Sequence, residues 1–295
     1  MAVEYLLSLG HRRIAMVAGP ASLRCSLDRV AGYRAALEAA GIPIDPELIR
    51  PLLWMALIGA AICPLLLIAD LGRPSRFLYM LRVFKLQSPM SLGAWILVAF
   101  SGCAILALLG HELILHGYVY LFLFVVRWIG EFLATITGLL LATYTAVLIG
   151  ATAIPVWSRN RNLLPAHFLV SGLGGSAATL ELLGFLIPPM QFLGYAASGL
   201  ETILDALFEL RRSPVNAPIH HGKVAAAVRV AGLFNGPLAL LVRFFWGSVP
   251  AGRYAAAIFF LAGSLLSRYA WIWAGRVSAG DVSTQFSTQR AGEKI

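Results

Sequence analysis

The chain has 295 residues, 59% of them apolar and 13% charged, whereas a typical soluble domain is about half apolar and about a quarter charged. Basic residues outnumber acidic ones, 23 to 14, but beyond the first fifty residues the bases sit almost entirely in short loops or at the ends of apolar runs. That placement reports membrane topology and excludes a nucleic-acid partner.

The first fifty residues differ from the rest, with 6 basic and 5 acidic side chains. They read as a soluble helix (AVEYLLSLGH), a short strand (RRIAMVAG) and a second helix (SLDRVAGYRAALEAAG) stopped by Gly41. A signal peptide is not expected, because a sustained apolar stretch and a small-residue cleavage site are lacking. A segment this short cannot bury a core of its own.

From Leu52 the apolar runs reach bilayer-spanning length, about 20 residues of helix. Seven are expected, at about 52–69, 89–110, 131–153, 163–186, 189–208, 223–245 and 252–275. Tyr118–Ile129, which carries Arg127, reads as an interfacial lead-in to the third. The fold class that follows is all-α, a polytopic transmembrane helix bundle of residues 51–295, preceded by a short soluble α/β fragment, residues 1–50. Alternating the loops across the bilayer puts Arg73, Arg76, Arg82, Lys85, Arg159, Arg161, Arg211, Arg212, Lys223, Arg276, Arg290 and Lys294 on one side and Arg253 alone on the other. The positive-inside rule makes the first side, with the C-terminus, cytoplasmic.

Charges inside spans cost at least about 2.5 kcal/mol each on insertion scales, so each needs a partner or a function. Glu201 and Asp205 share a helix face at i and i+4, and Arg229 and Arg268 fall at similar depths. An interhelical ion-pair cluster of these four is expected, with a proton relay as the alternative. Glu131 and Glu181 are placed towards outer helix ends, within reach of water. His167 is the one clear intramembrane histidine, so a bis-histidine haem is not expected. His111, His116, His220 and His221 read as loop residues, no metal site is expected, and Cys25, Cys63 and Cys103 read as small apolar residues lacking cluster spacing. Asn235, Gly236 and Pro237 interrupt a helix at mid-membrane, as a packed kink or as a transporter-like break. Trp54, Trp95, Trp157, Trp246, Trp271 and Trp273 read as interfacial anchors.

Three strings are specific: DLGRPSRFLYMLRVFKLQSPMSLGAW from Asp70, TYTAVLIGATAIPVW from Thr143 and SRYAWIWAGRVSAGD from Ser267. Together they resemble the NrfD/PsrC-type polysulfide reductase membrane subunits over about residues 52–290. The N-terminal strings GHRRIAMVAGP and DRVAGYRAALEAAGI resemble part of the effector domain of lactose-repressor-type regulators. The first resemblance implies a subunit that is not catalytic alone and binds no covalent cofactor. Such a subunit exchanges electrons between quinone or quinol and an iron-sulfur subunit, which serves a molybdopterin-type or cytochrome catalytic subunit. Asp70, Arg73, Glu131 and Tyr144 are the quinone and proton-pathway candidates. Asp70, Arg73 and Arg76 also read simply as a topology anchor with a local ion pair. Seven spans where this family has eight imply that the repressor-like piece replaces the first helix. The alternatives are therefore a secondary transporter or a non-functional fusion product.

Overall fold

The computed structural model describes residues 2–11, 14, 16, 24–40, 49–70, 73–82, 84–85, 88–118 and 120–280. Among them every regular element is helical. The strand expected in the N-terminal fragment falls largely on residues outside this set, between helices α1 (Ala2–Ser8) and α2 (Arg24–Ala39).

All seven expected spans are helices. In chain order they are α3 (Ile49–Asp70); α5 (Pro89–Leu115), after the short α4 (Phe77–Arg82); and α6 (Leu121–Gly150). After α7 (Pro155–Arg159) come α8 (Leu164–Leu182) and α9 (Pro188–Leu210). After α10 (Ala217–His220) come the pair α11 (Gly222–Leu233) and α12 (Ala239–Trp246), and finally α13 (Pro250–Gly280). Five segments are long and apolar enough to cross a membrane: Ile49–Leu66, Pro89–Leu115, Leu121–Gly150, Gly222–Trp246 and Pro250–Gly280. The remaining two, α8 and α9, are long enough, at 19 and 23 residues, but carry the buried polar groups described below. The region before Glu131 is no separate lead-in, because α6 runs unbroken from Leu121.

The chain itself sets the helix ends. Proline stands at the N-terminal turn of α7, α8 and α9, where its missing N–H costs nothing. Gly117 and Gly184, at φ 92° and 96°, close α5 and α8 in the left-handed conformation that favours glycine. The amides of Tyr118 and Phe185 then reach back to Leu113 O and Leu180 O, each at 3.0 Å.

Contacts divide the chain into two units. Unit 1 comprises Met1–Tyr79 and Ile96–Thr137. Its buried cluster is Leu53, Ala107 and Leu108, and Arg50 donates to Glu112 at 2.7 Å across α3 and α5. His111 belongs to α5 and is 7% exposed, so it is not the loop residue expected; neither ring nitrogen finds a partner among the described residues. Unit 2 comprises Met80–Trp95 and Gly138–Ile295. One of its clusters gathers Val156, Leu164, Phe168, Phe208, Ile219 and Trp271; another joins Ala178, Ala197, Ala239, Ala257 and Phe260. Small residues let helix backbones approach closely, as membrane interfaces favour: Gly174 leaves no room for a Cβ against Phe260 and Ala197. Trp271, expected as an interfacial anchor, is instead core, 1% exposed, its ring 4.9 Å from Phe208. Trp157 donates its indole N–H to Trp271 O at 2.8 Å. Leu265 and Phe244, each 72% exposed, belong to the apolar surface that lipid would cover.

Candidate functional site

Unit 2 holds two buried polar layers. The first is built on α8 and α9, neighbours joined by a short turn. Glu201 and Asp205, one turn apart on α9, face His167 on α8, and donor atoms of all three lie within 4.8 Å of one another. His167 Nδ1 is 2.7 Å from Glu201 Oε2, and Nε2 is 2.8 Å from Ser267 Oγ on α13. Glu201 is 0% and His167 2% exposed. Phe208 sets its ring edge to face with His167 at 5.7 Å, closing the layer with an apolar wall. Gly232 on α11 packs directly on the Asp205 carboxylate, leaving no space for a side chain.

Two of the four residues expected to cluster are therefore together, and the histidine completes the group. Arg229 does not join them: it donates to Glu209 Oε1 at 2.7 Å near the end of α9, a half-exposed pair. Nor does Arg268 reach the carboxylates by hydrogen bond. It donates to Phe168 O at 3.2 Å and Ser171 Oγ at 3.1 Å, and its guanidinium stands 3.9 Å over the Phe168 ring. Matching depth along two helices does not fix which face a side chain occupies, and the Phe168 ring offers this cation a competing site.

A cavity of about 260 Å³ opens beside this layer. Thr202, Asp205, Phe208 and Gly232 line it, with Glu209, His220 and Arg229 among its polar residues. His220 Nδ1 lies 3.1 Å from Glu209 Oε2.

The second layer lies nearer the opposite ends of the same helices. Glu181, expected within reach of water, is 0% exposed. It accepts both terminal nitrogens of Arg243 at 2.9 and 2.7 Å and lies 3.3 Å from Arg253 Nη2. Arg253 also donates to Leu186 O and Ile187 O at 2.7 and 3.0 Å. Arg243 packs on Gly194 of α9, where any side chain would displace it. This layer escaped the sequence reading, although a lone arginine in LALLVRFFW should have signalled a buried acidic partner.

The helix break is real. The chain kinks within Phe234–Leu238, where Gly236 takes the non-helical φ −95°, ψ −106°. Asn235 is 0% exposed, and both its side-chain polar atoms lack a partner among the described residues.

The quinone and proton-pathway candidates divide between the units, with Asp70, Arg73 and Glu131 in unit 1 and Tyr144 in unit 2. Asp70 ends α3, and its side chain lies outside the described set. Arg73 is exposed. Glu131 pairs with Arg127 one turn earlier, at 3.3 Å. Tyr144 sets its ring directly on Gly93.

These features define a multi-pass helical membrane protein with ionisable side chains held inside one helical unit. The chain belongs to the polysulphide reductase, NrfD family, whose model matches residues 30–191. Glu201, Asp205, Arg243 and Arg253 lie beyond the matched stretch. The N-terminal segment is similar to the HTH-type transcriptional regulators DegA of Bacillus subtilis (strain 168) and CelR of Thermobifida fusca, at 48% and 46% identity over 48 residues. Those residues are 16% of this chain and 14% of each regulator. No solved structure matches the chain.

Proposed function

We propose that this chain is the quinone-interacting membrane subunit of a multi-subunit oxidoreductase. It would pass electrons between the membrane quinone pool and an iron-sulfur subunit, which serves a molybdopterin-type or cytochrome catalytic subunit. The observation that carries the reading is the family match over residues 30–191. The chain brings no redox centre to the reaction in this reading: quinone or quinol is an exchangeable substrate, and electrons leave through the partner. Reducing a quinone takes up two electrons and two protons, so the site needs a carboxylate or phenol connected to water. Asp70, Arg73, Glu131 and Tyr144 are assigned that work, with Glu131 standing 3.3 Å from Arg127. The cell membrane is the proposed location, with the basic loops and the C-terminus in the cytoplasm.

The test is a gentle-detergent pull-down of the tagged chain from native membranes, followed by iron analysis and identification of the subunits that co-purify. An iron-sulfur protein recovered in stoichiometric amount is expected. A solitary membrane protein that drives solute uptake in vesicles would replace this reading with a transporter. In the assembled complex, Asp70→Asn should lose quinol-linked turnover while leaving activity with an artificial donor to the iron-sulfur subunit intact.

A further inference from the structure

We infer that His167, Glu201 and Asp205 form a site for a divalent transition metal of the zinc class. One imidazole and two carboxylates are a donor set that suits such ions. Here donor atoms from all three lie within 4.8 Å of one another. A zinc ion sits about 2.0–2.2 Å from each nitrogen or oxygen ligand, which puts tetrahedral ligands about 3.4 Å apart, so the widest pair draws together when the ion binds. Two carboxylates and a divalent cation also cancel in charge, which matters where the surroundings are apolar.

A second observation points to a ligand. Glu201 is 0% exposed, yet its Oε1 has no hydrogen-bond partner among the described residues, and Asp205 Oδ2 is likewise unpartnered. Ser198 Oγ, one turn before Glu201 on α9, is buried and unpartnered as well. Buried polar atoms are ordinarily satisfied, and several unsatisfied oxygens on one helix make an electron-rich surface.

The support around the histidine fits the same role. Metal-bound imidazoles hold their second nitrogen on a hydrogen-bond partner that fixes the ring, and His167 Nε2 is 2.8 Å from Ser267 Oγ. A serine hydroxyl serves both states. It can donate to Nε2 or accept from it, and it accepts from Nε2–H once a metal takes Nδ1. Access is provided too. Asp205 belongs both to the cluster and to the wall of the 260 Å³ cavity.

This site needs neither quinone nor a partner subunit, so its test is separate from that of the redox reading. The full chain, purified in detergent and stripped with a chelator, is titrated with Co²⁺ and then with Zn²⁺. One Co²⁺ per chain is expected, with visible d–d absorption that Zn²⁺ abolishes. Glu201→Gln and Asp205→Asn should lose this stoichiometric binding. Ser267→Ala should weaken it about tenfold or more, and Glu209→Gln at the cavity mouth should retain it. The wild-type spectrum is itself decisive should a variant fold poorly. Absence of stoichiometric binding by the wild-type chain overturns the proposal, as does unchanged binding in folded Glu201→Gln and Asp205→Asn.

Discussion

Replacing Glu181 by Gln removes one negative charge from between two buried guanidiniums without changing side-chain volume. Arg243, 0% exposed and held through both terminal nitrogens, loses a charge-assisted fork; Arg253, at 8% exposure, loses its counter-ion. Breaking a buried pair by neutralising one partner costs about 3–5 kcal/mol because the other charge is left uncompensated, and two cations are stranded here. Glu181→Gln should therefore cost about 5 kcal/mol. Arg253→Met leaves the Glu181–Arg243 fork in place and frees Leu186 O and Ile187 O, a loss of about 1–3 kcal/mol. Both are measured by SDS-titrated unfolding in mixed micelles, followed by circular dichroism. A Glu181→Gln protein within about 1 kcal/mol of wild type, or a larger loss for Arg253→Met, would refute the stranding of two cations.

Gly194→Ala should cost about 3 kcal/mol in the same assay, because its methyl occupies the space of the Arg243 guanidinium and drives it off Glu181. Arg229→Ala, at the half-exposed pair with Glu209, should cost less than about 1 kcal/mol, and a larger loss would place Arg229 back among the buried charges. Trp157→Phe removes the 2.8 Å bond to Trp271 O and should cost about 1–2 kcal/mol, read as a lower thermal midpoint in detergent.

The helices were legible because apolar length is a strong signal: each of the seven expected runs coincides with a helix, within a few residues at most ends. The unbroken α6 was less so, since Arg127 reads as a boundary until Glu131 is placed one turn later to pair with it. Side-chain partners were the least legible. Asp205 and Glu201 could be paired by their spacing on one helix, but His167 and Ser267 come from other helices and no local pattern points at either. Arg243 and Arg253 find Glu181 across 62 and 72 residues, a separation that no local spacing rule covers. Trp271 shows the reverse error: a tryptophan near a span end suggests the interface, but its neighbours Phe208 and Trp157 make it core.

The kink within Phe234–Leu238 has a consequence for how this stretch tolerates insertion and deletion. A helix advances about 100° per residue, so a residue gained or lost at the kink changes which way α12 faces. Deleting one residue within 234–238 would turn everything after the deletion by about 100° relative to α11. Arg243 would swing off Glu181, and Tyr195, whose hydroxyl donates to Arg243 O at 2.6 Å, would lose its acceptor. The reading frame of the helix, counted in turns, is thus set by these five residues, and α12 inherits its orientation from them.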